Sequence, residues 1–503
     1  MLFVFGDATE RTILASSTKH DKLLREDAMP GISVVTTQGA RVDLHDDQLA
    51  ALKSALGDRL VTPGARGYDE ARTIWNAMIE RRPALVARCA TAAEVQQAVR
   101  VAAASNLLLS IKGGGHNIAG NALCDGGMMI DLSPMKRVVV DPAARTARVQ
   151  PGVTLAELDA ATQAHGLAVP LGINSTTGVA GLTLGGGFGW LTRKYGFTVD
   201  SLTSAEIVTA DGSLRRASEQ ENGDLFWAIR GGGGNFGVVT EFAFRLHPVG
   251  PEILAGLIVH PFEDITPVAA RYREFVAKAP EELTTWLVFR KAPPLPFVPA
   301  DWHGREVVVI AFLYAGDAAA GQKVVEPLRR FGRPVGEHIG PMPYAGFQQA
   351  FDPLLTPGAR NYWKSHDFTQ ISDAAVGVIQ DFVSRLPSPH CEIFLAHLGG
   401  AAARVAPDAM AFSRRDAEFI INVHTRWEKP ADDRACVGWA REFFTAMAAH
   451  AMGSVYVNFM PEDETDRLPA AWGPNYARLA AIKAKYDPKN LFRVNQNIQP
   501  AAV

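Results

Sequence analysis

Apolar and polar positions follow two periods along this chain, and the switches between them mark its elements. "TAAEVQQAVRVAAASN" (91–106) spaces apolar residues three and four apart and predicts a helix, with Thr91 and Glu94 at capping-box spacing. It runs into "LLLSI" (107–111), a short buried strand that leads to three glycines. "MMIDLS" (128–133) predicts a second strand, and "RVVVDPAARTARVQPG" (137–152) predicts a hairpin turning at Asp141-Pro142. "TLAELDAATQAHG" (154–166) predicts a helix that opens on the pair Thr154 and Glu157 and stops at Gly166. "SAEIVTADGSLRRAS" (204–218) predicts a hairpin whose turn is Asp211-Gly212.

The texture changes at "HPVGPEI", near residue 250. Beyond it strands such as "REVVVIAFLYAG", "CEIFLAHLGG" and "EFIINVHTRWE" alternate with helical patterns and carry no glycine loops. This suits an α+β domain that shapes a substrate site. The last fifty residues hold "GSVYVNFM", a helix through "NYARLAAIKAKYDP", and the coil "NLFRVNQNIQP". The expected division is an extension over 1–42, a glycine-rich domain over 43–250, a substrate domain over 251–450, and a final segment over 451–503.

Composition narrows the partners. The 503 residues are 47% hydrophobic and 20% charged, with 50 basic against 53 acidic side chains and a net charge of −3. That balance offers no footprint for nucleic acid or a membrane surface, so the expected partner is a small molecule. Four scattered cysteines form no CxxC pair, and no HExxH or His/Asp cluster offers a metal site. The start lacks a basic n-region and a cleavage site, and no run of 18 apolar residues occurs; a cytoplasmic location is expected.

Three glycine clusters then carry the chemistry: Gly113 to Gly115, "GGGFG" (185–189) and "GGGGNFG" (231–237). The third contains GxGxxG as Gly232, Gly234 and Gly237, but it follows a helical pattern and precedes a strand. A dinucleotide fingerprint of the Rossmann type needs the reverse order, and no GKS/T follows any cluster, so neither that site nor a P-loop is expected. Alone, each cluster is a tight turn. Three in one stretch supply consecutive amides for a cofactor bearing a diphosphate.

The motifs "IKGGGHN", "GVAGLTLGGGFGWLTRKYGFTVDSL", "RGGGGNFGVVT" and "YVNF…YDPKNLFRVNQNI" together resemble the berberine-bridge-enzyme-like branch of the vanillyl-alcohol-oxidase flavoproteins. Within it, the chain resembles the bacterial branch that includes 6-hydroxy-D-nicotine oxidase. The resemblance covers about residues 65–250 and 454–500. It implies a two-part FAD-binding domain of the PCMH type and an α+β substrate domain on an antiparallel sheet. It also implies hydride transfer from a C–H beside oxygen or nitrogen of an alcohol, sugar or amine. O2 is the implied acceptor, with a quinone- or protein-linked dehydrogenase and a non-catalytic flavin carrier as alternatives.

The resemblance assigns residues by position. His116 corresponds to the histidine bonded covalently to the flavin. Lys112, Gly113, Gly114, Gly115 and Asn117 would wrap the pyrophosphate. Thr177, Gly178, Gly181, Leu182, Gly185, Gly186, Gly187 and Gly189 would line the flavin. Gly237, Val238 and Val239 would hold the ribityl or adenine side, and Asn495 and Asn497 the isoalloxazine edge. Plant members make a second bond from a cysteine; Asn174 in "NSTTG" stands there, so a single link through His116 is expected. Thr177, close in size to the valine of oxidases, falls at the oxygen-gating position. Many relatives carry a tyrosine base in a "YxNY" strand, and here that tyrosine is Phe459. The candidates left for catalysis are His397, ranked first, then His424, Lys364, Tyr362 and Tyr456, with Asn458 as a polar anchor.

Overall fold

The computed structural model describes residues 31–502. Helix Ala92–Ala104 begins at Thr91, whose hydroxyl accepts from the Glu94 amide, and the Glu94 carboxylate accepts from the Ala90 amide. Helix Leu155–Gln163 begins with the reciprocal box of Thr154 and Glu157. Strands Leu202–Val208 and Leu214–Ser218 pair around Asp211-Gly212, where Gly212 takes φ +73°.

Two sheets build the cofactor half. Strands Leu60–Val61, Leu85–Arg88, Met128–Asp131 and Leu109–Lys112 lie in that order, the last three parallel. Helices Asp46–Leu56 and Ala92–Ala104 share their core, which also takes Val34 from a hairpin of Ser33–Val35 with Arg41–Asp43. A five-stranded antiparallel sheet follows, in the order Leu214–Ser218, Leu202–Val208, Val238–Arg245, Thr146–Val149, Val138–Asp141. Its core is shared with Val455, Trp472, Leu479 and Ile498, so the chain returns to its first half after residue 450.

Between these segments stands a seven-stranded antiparallel sheet. Its order is Gly336–Pro343, Glu252–Pro261, Glu306–Tyr314, Leu283–Lys291, Glu392–His397, Phe419–Trp427, Arg360–Phe368. Helices Ile265–Val276, Asp373–Val383 and Asp433–Met447 share a core with residues of one face. The other face turns toward the glycine loops, and alternation along each strand decides which side chains reach it. The fold is α+β. No helix among the described residues is long and apolar enough to cross a membrane. The stretch Val457–Phe459, read from sequence as part of a strand, is a single 3₁₀ turn.

Candidate active site

A deep cavity lies between the glycine loops and the open face of the seven-stranded sheet. Strand Leu109–Lys112 runs into Gly113, and a turn with Gly115 at φ +70° lays Gly113–Asn117 along the wall. The amides of Gly114 to Asn117 have no protein acceptor among the described residues. Neighbouring free N–H groups of this kind form a nest for an anion such as a diphosphate. A Cβ on Gly114 would stand 2.4 Å from the Gly178 nitrogen, so these two loops need glycine to touch backbone to backbone.

Gly181 and Gly234 are different. Both line the cavity, and a Cβ at either would meet no protein atom within 4 Å. Their missing side chains leave space for a bound group. Gly181→Leu is expected to give a folded protein that purifies without flavin absorbance, whereas Gly114→Ala lowers the melting temperature of the protein itself. Full flavin content in Gly181→Leu would contradict this.

The C-terminal coil closes another wall with Phe492, Val494, Asn495 and Gln496. A buried clasp holds it. Lys483 Nζ donates to Asn235 O at 2.6 Å and Phe492 O at 2.9 Å, and pairs with Asp487 at 2.7 Å. Asp487 also accepts from the amides of Leu491 and Phe492. Asn235 donates to Gln496 O and accepts from the Ile498 amide. Asn495 Oδ1, on that wall, is buried without a partner among the described residues. A free amide nest, two open glycine positions and an orphaned amide oxygen fit a dinucleotide with a polar ring system, and FAD satisfies all three.

His116 lies deep in the molecule with part of its ring open to the cavity. Trp75 stacks on it at 4.5 Å between centroids. The Thr176 hydroxyl donates to Asn174 Oδ1 at 2.7 Å, so toward His116 it can only accept. His116 Nε2, 3.0 Å from that oxygen, therefore carries the hydrogen, and Nδ1 keeps the lone pair. Burial, aided by Arg426 and His424, pushes its pKa down to about 3, so the ring stays neutral at any working pH.

The sheet supplies a second histidine. Trp363, His424, Glu392 and Arg290 lie directly opposite one another on four successive strands. Arg290 Nη1 donates to Glu392 Oε2 at 2.5 Å, and His424 Nδ1 lies 3.1 Å from Glu392 Oε1. Burial alone would raise the Glu392 carboxyl, but Arg290, His424 and Arg426 overcome it and hold it at about 2. Burial lowers the His424 pKa below its ordinary value, against the pull of Glu392. The pair is thus a neutral imidazole donating Nδ1–H to a carboxylate. His424 Nε2 keeps its lone pair, has no protein partner among the described residues, and belongs to a side chain lining the cavity. Two indoles span the histidines: Trp75 meets Trp363 edge-on at 5.5 Å, and Trp363 meets His424 at 4.7 Å.

Comparison with known proteins gives the family. An FAD binding domain model matches residues 83–218, and a "berberine and berberine like" model matches residues 455–499. The FAD-linked oxidoreductase YgaK of Bacillus subtilis (strain 168) is 32% identical over 461 residues, covering 89% of this chain and 98% of the relative. This chain belongs to the berberine-bridge-enzyme-like family of FAD-linked oxidoreductases. (R)-6-hydroxynicotine oxidase of Paenarthrobacter nicotinovorans is 30% identical over 472 residues, covering 90% of this chain and 99% of that enzyme. The structure of a chitooligosaccharide oxidase superposes with a TM-score of 0.78 at 25% identity, covering 90% of this chain and all of that one.

Within this berberine-like chain, the cavity gathers Gly113, Gly114, Gly115, His116, Asn117, Thr177, Gly178, Gly181, Leu182, Gly237, Val238, Val239 and Asn495 from the cofactor assignments. Lys112 does not reach it: its ammonium is buried and donates to Ala71 O at 2.6 Å. Asn497 lies outside the lining as well. Gly185, Gly186, Gly187 and Gly189 serve packing, because a Cβ on each would strike Asn458, Phe412, Thr198 and Leu171 O respectively. The second glycine cluster is a seam between chain segments.

The catalytic assignments divide more sharply. His397 is outside the cavity, and its Nε2 already faces an N–H of Arg193 at 2.8 Å, so it has no lone pair left for a substrate proton. Of the "GG" after its strand, Gly399 packs on Glu418 and Gly400 on Arg193 O, and neither lines the cavity. Lys364 pairs with Glu464 at 2.7 Å and Tyr362 donates to Asp463 at 2.8 Å; both lie on the opposite strand face from Trp363, which does line the cavity. Tyr456 lines it too, but its hydroxyl accepts from the Gly187 amide and from Asn458 Nδ2, which fixes that junction. Asn458 also donates to Leu182 O. Phe459 packs edge-on to Trp363 and Tyr456 in the aromatic wall and has no group to titrate. Sequence reasoning missed Trp75, Trp363, Glu392 and Arg290. Glu392 and Arg290 had one signal: each is a charged residue near the end of a mostly apolar strand.

Proposed function

We propose that this enzyme is an FAD-dependent oxidase of alcohols, with His424 as the base and His116 as the sole covalent anchor of the cofactor. The observation that carries this reading is His424 itself, a side chain of the cavity wall whose Nε2 has no hydrogen-bond partner among the described residues and whose ring is braced from behind by Glu392 and Arg290. FAD bound in this cavity would supply the two-electron acceptor for a hydride leaving the carbinol carbon. His424 Nε2 takes the hydroxyl proton as that C–H bond breaks, and Glu392 stabilises the imidazolium that forms. Over a turnover the alcohol becomes a carbonyl compound, and O2 takes up the two electrons and two protons as H2O2. Thr177 lies in the cavity wall, and its small side chain supports the reading of O2 as the acceptor.

His116 Nδ1 is the atom available for attachment, since Nε2–H is committed to Thr176. All four cysteines are buried and none belongs to the cavity wall, which supports a single link. Acid-precipitated protein is expected to stay yellow, and His116→Ala to release its flavin into the supernatant. A colourless wild-type pellet would contradict the link.

The test of the function is anaerobic mixing of the yellow holoenzyme with alcohols, followed by air. The expected result is bleaching by an alcohol and recovery of colour in air with one H2O2 per carbonyl formed. Bleaching that air reverses only over minutes, while a quinone reverses it at once, would favour a dehydrogenase.

A further inference from the structure

The cavity does not end at His424. A second chamber opens beyond Phe394, Trp286, Ile173, Leu355 and Glu392, residues that line both spaces. Its floor is the same sheet face one strand further on: Val288 lies opposite Val309, and Val309 opposite Val259. Leu257, Val307 and Ala311 complete that floor. Pro293, Leu295 and Val298 form one flank, and Phe351 and Leu354 another.

The charge content of this space is one neutralised pair. Arg290 and Glu392, the inner end of the His424 ladder, stand at its entrance and bond each other. The other polar groups are indole nitrogens. Trp190 and Trp286 stack at 4.6 Å, are 1% and 3% exposed, and both leave Nε1 without a partner. Neither nitrogen is open to the chamber, so the two indoles add apolar ring surface to its wall.

We propose that this chamber is the subsite for the non-reacting end of the substrate, and that the substrate is an elongated aryl or alkyl alcohol. The proposal rests on the reading of His424 as the base, which fixes the reacting hydroxyl at the chamber mouth. Val259, Val288, Val307 and Val309 offer apolar surface and no hydrogen bond. A saccharide there would bury hydroxyls with no partner, at roughly five- to hundred-fold in affinity for each. An apolar tail gains about three- to fourfold per methylene it buries.

The test uses the holoenzyme, mixed anaerobically with 4-alkylbenzyl alcohols of increasing tail length, the matching benzylamines, and mono- and oligosaccharides. The expected result is a kcat/KM that climbs about three- to fourfold per methylene until the chamber is full, with saccharides far behind. Val309→Phe should move the optimum to a shorter tail. Val288→Thr, equal in volume, should reduce the gain per methylene, and it keeps the test open if the larger side chain prevents folding. A flat length dependence, or a saccharide that outruns every apolar alcohol, would overturn the chamber assignment. If the amines react in place of the alcohols and length dependence persists, the chamber stands and the base assignment falls. If alcohols react without length dependence, the base stands and the chamber falls.

Discussion

Replacing His424 with alanine is expected to slow flavin reduction by an alcohol about 10²- to 10⁴-fold, the range for removing a positioned general base. Flavin content should stay normal, because His424 sits on the sheet and not among the cofactor loops. The active form of His424 is the neutral one. Its pKa is lowered, first by burial, so the rate rises with pH through a value below 6.5 and stays level above it. Glu392→Gln removes the carboxylate that favours the imidazolium. The acid limb then moves to still lower pH while the plateau rate falls. Glu392→Gln at the wild-type rate would show that the carboxylate does not brace the base.

Lys483→Met is expected to cost about 3–5 kcal/mol, the usual penalty for removing one partner of a buried ion pair. The loss is local in its consequences. Lys483 joins the Asn235 loop, Asp487 and the Phe492 carbonyl, and the coil it fixes supplies Asn495 and Gln496 to the cavity wall. The variant should therefore melt earlier and lose flavin in a His116→Ala background, where no covalent bond retains it. Unchanged melting temperature and flavin content would mean that the coil holds itself.

The sequence made one half of this site readable and hid the other. Helices 92–104 and 155–163 announce themselves by caps and period, and both hairpins by their turns. The loop Gly113–Asn117 is local in sequence, so its glycines, its turn and His116 could be read together. The His424 ladder is not local. Trp363, His424, Glu392 and Arg290 come from four strands, and only their register brings them into line. A one-residue slip would turn each side chain to the helix-covered face. The same gap misplaced His397, which has a good local context but, an odd number of residues from Glu392, lies on the other strand face. It also misread Gly185 to Gly189, because a glycine kept for close packing and one kept for a ligand look alike until their neighbours are known.

The measurement that bears most directly on the central claim is the rate of anaerobic flavin reduction by a reactive alcohol, followed from pH 5 to 10 in wild type and His424→Ala. The account predicts a wild-type rate that loses activity only on the acid side, with a limb below pH 6.5, and a variant slowed about 10²- to 10⁴-fold with that limb gone. A wild-type rate still climbing near pH 10, as a tyrosine or lysine base would give, or a His424→Ala rate equal to wild type, would contradict it.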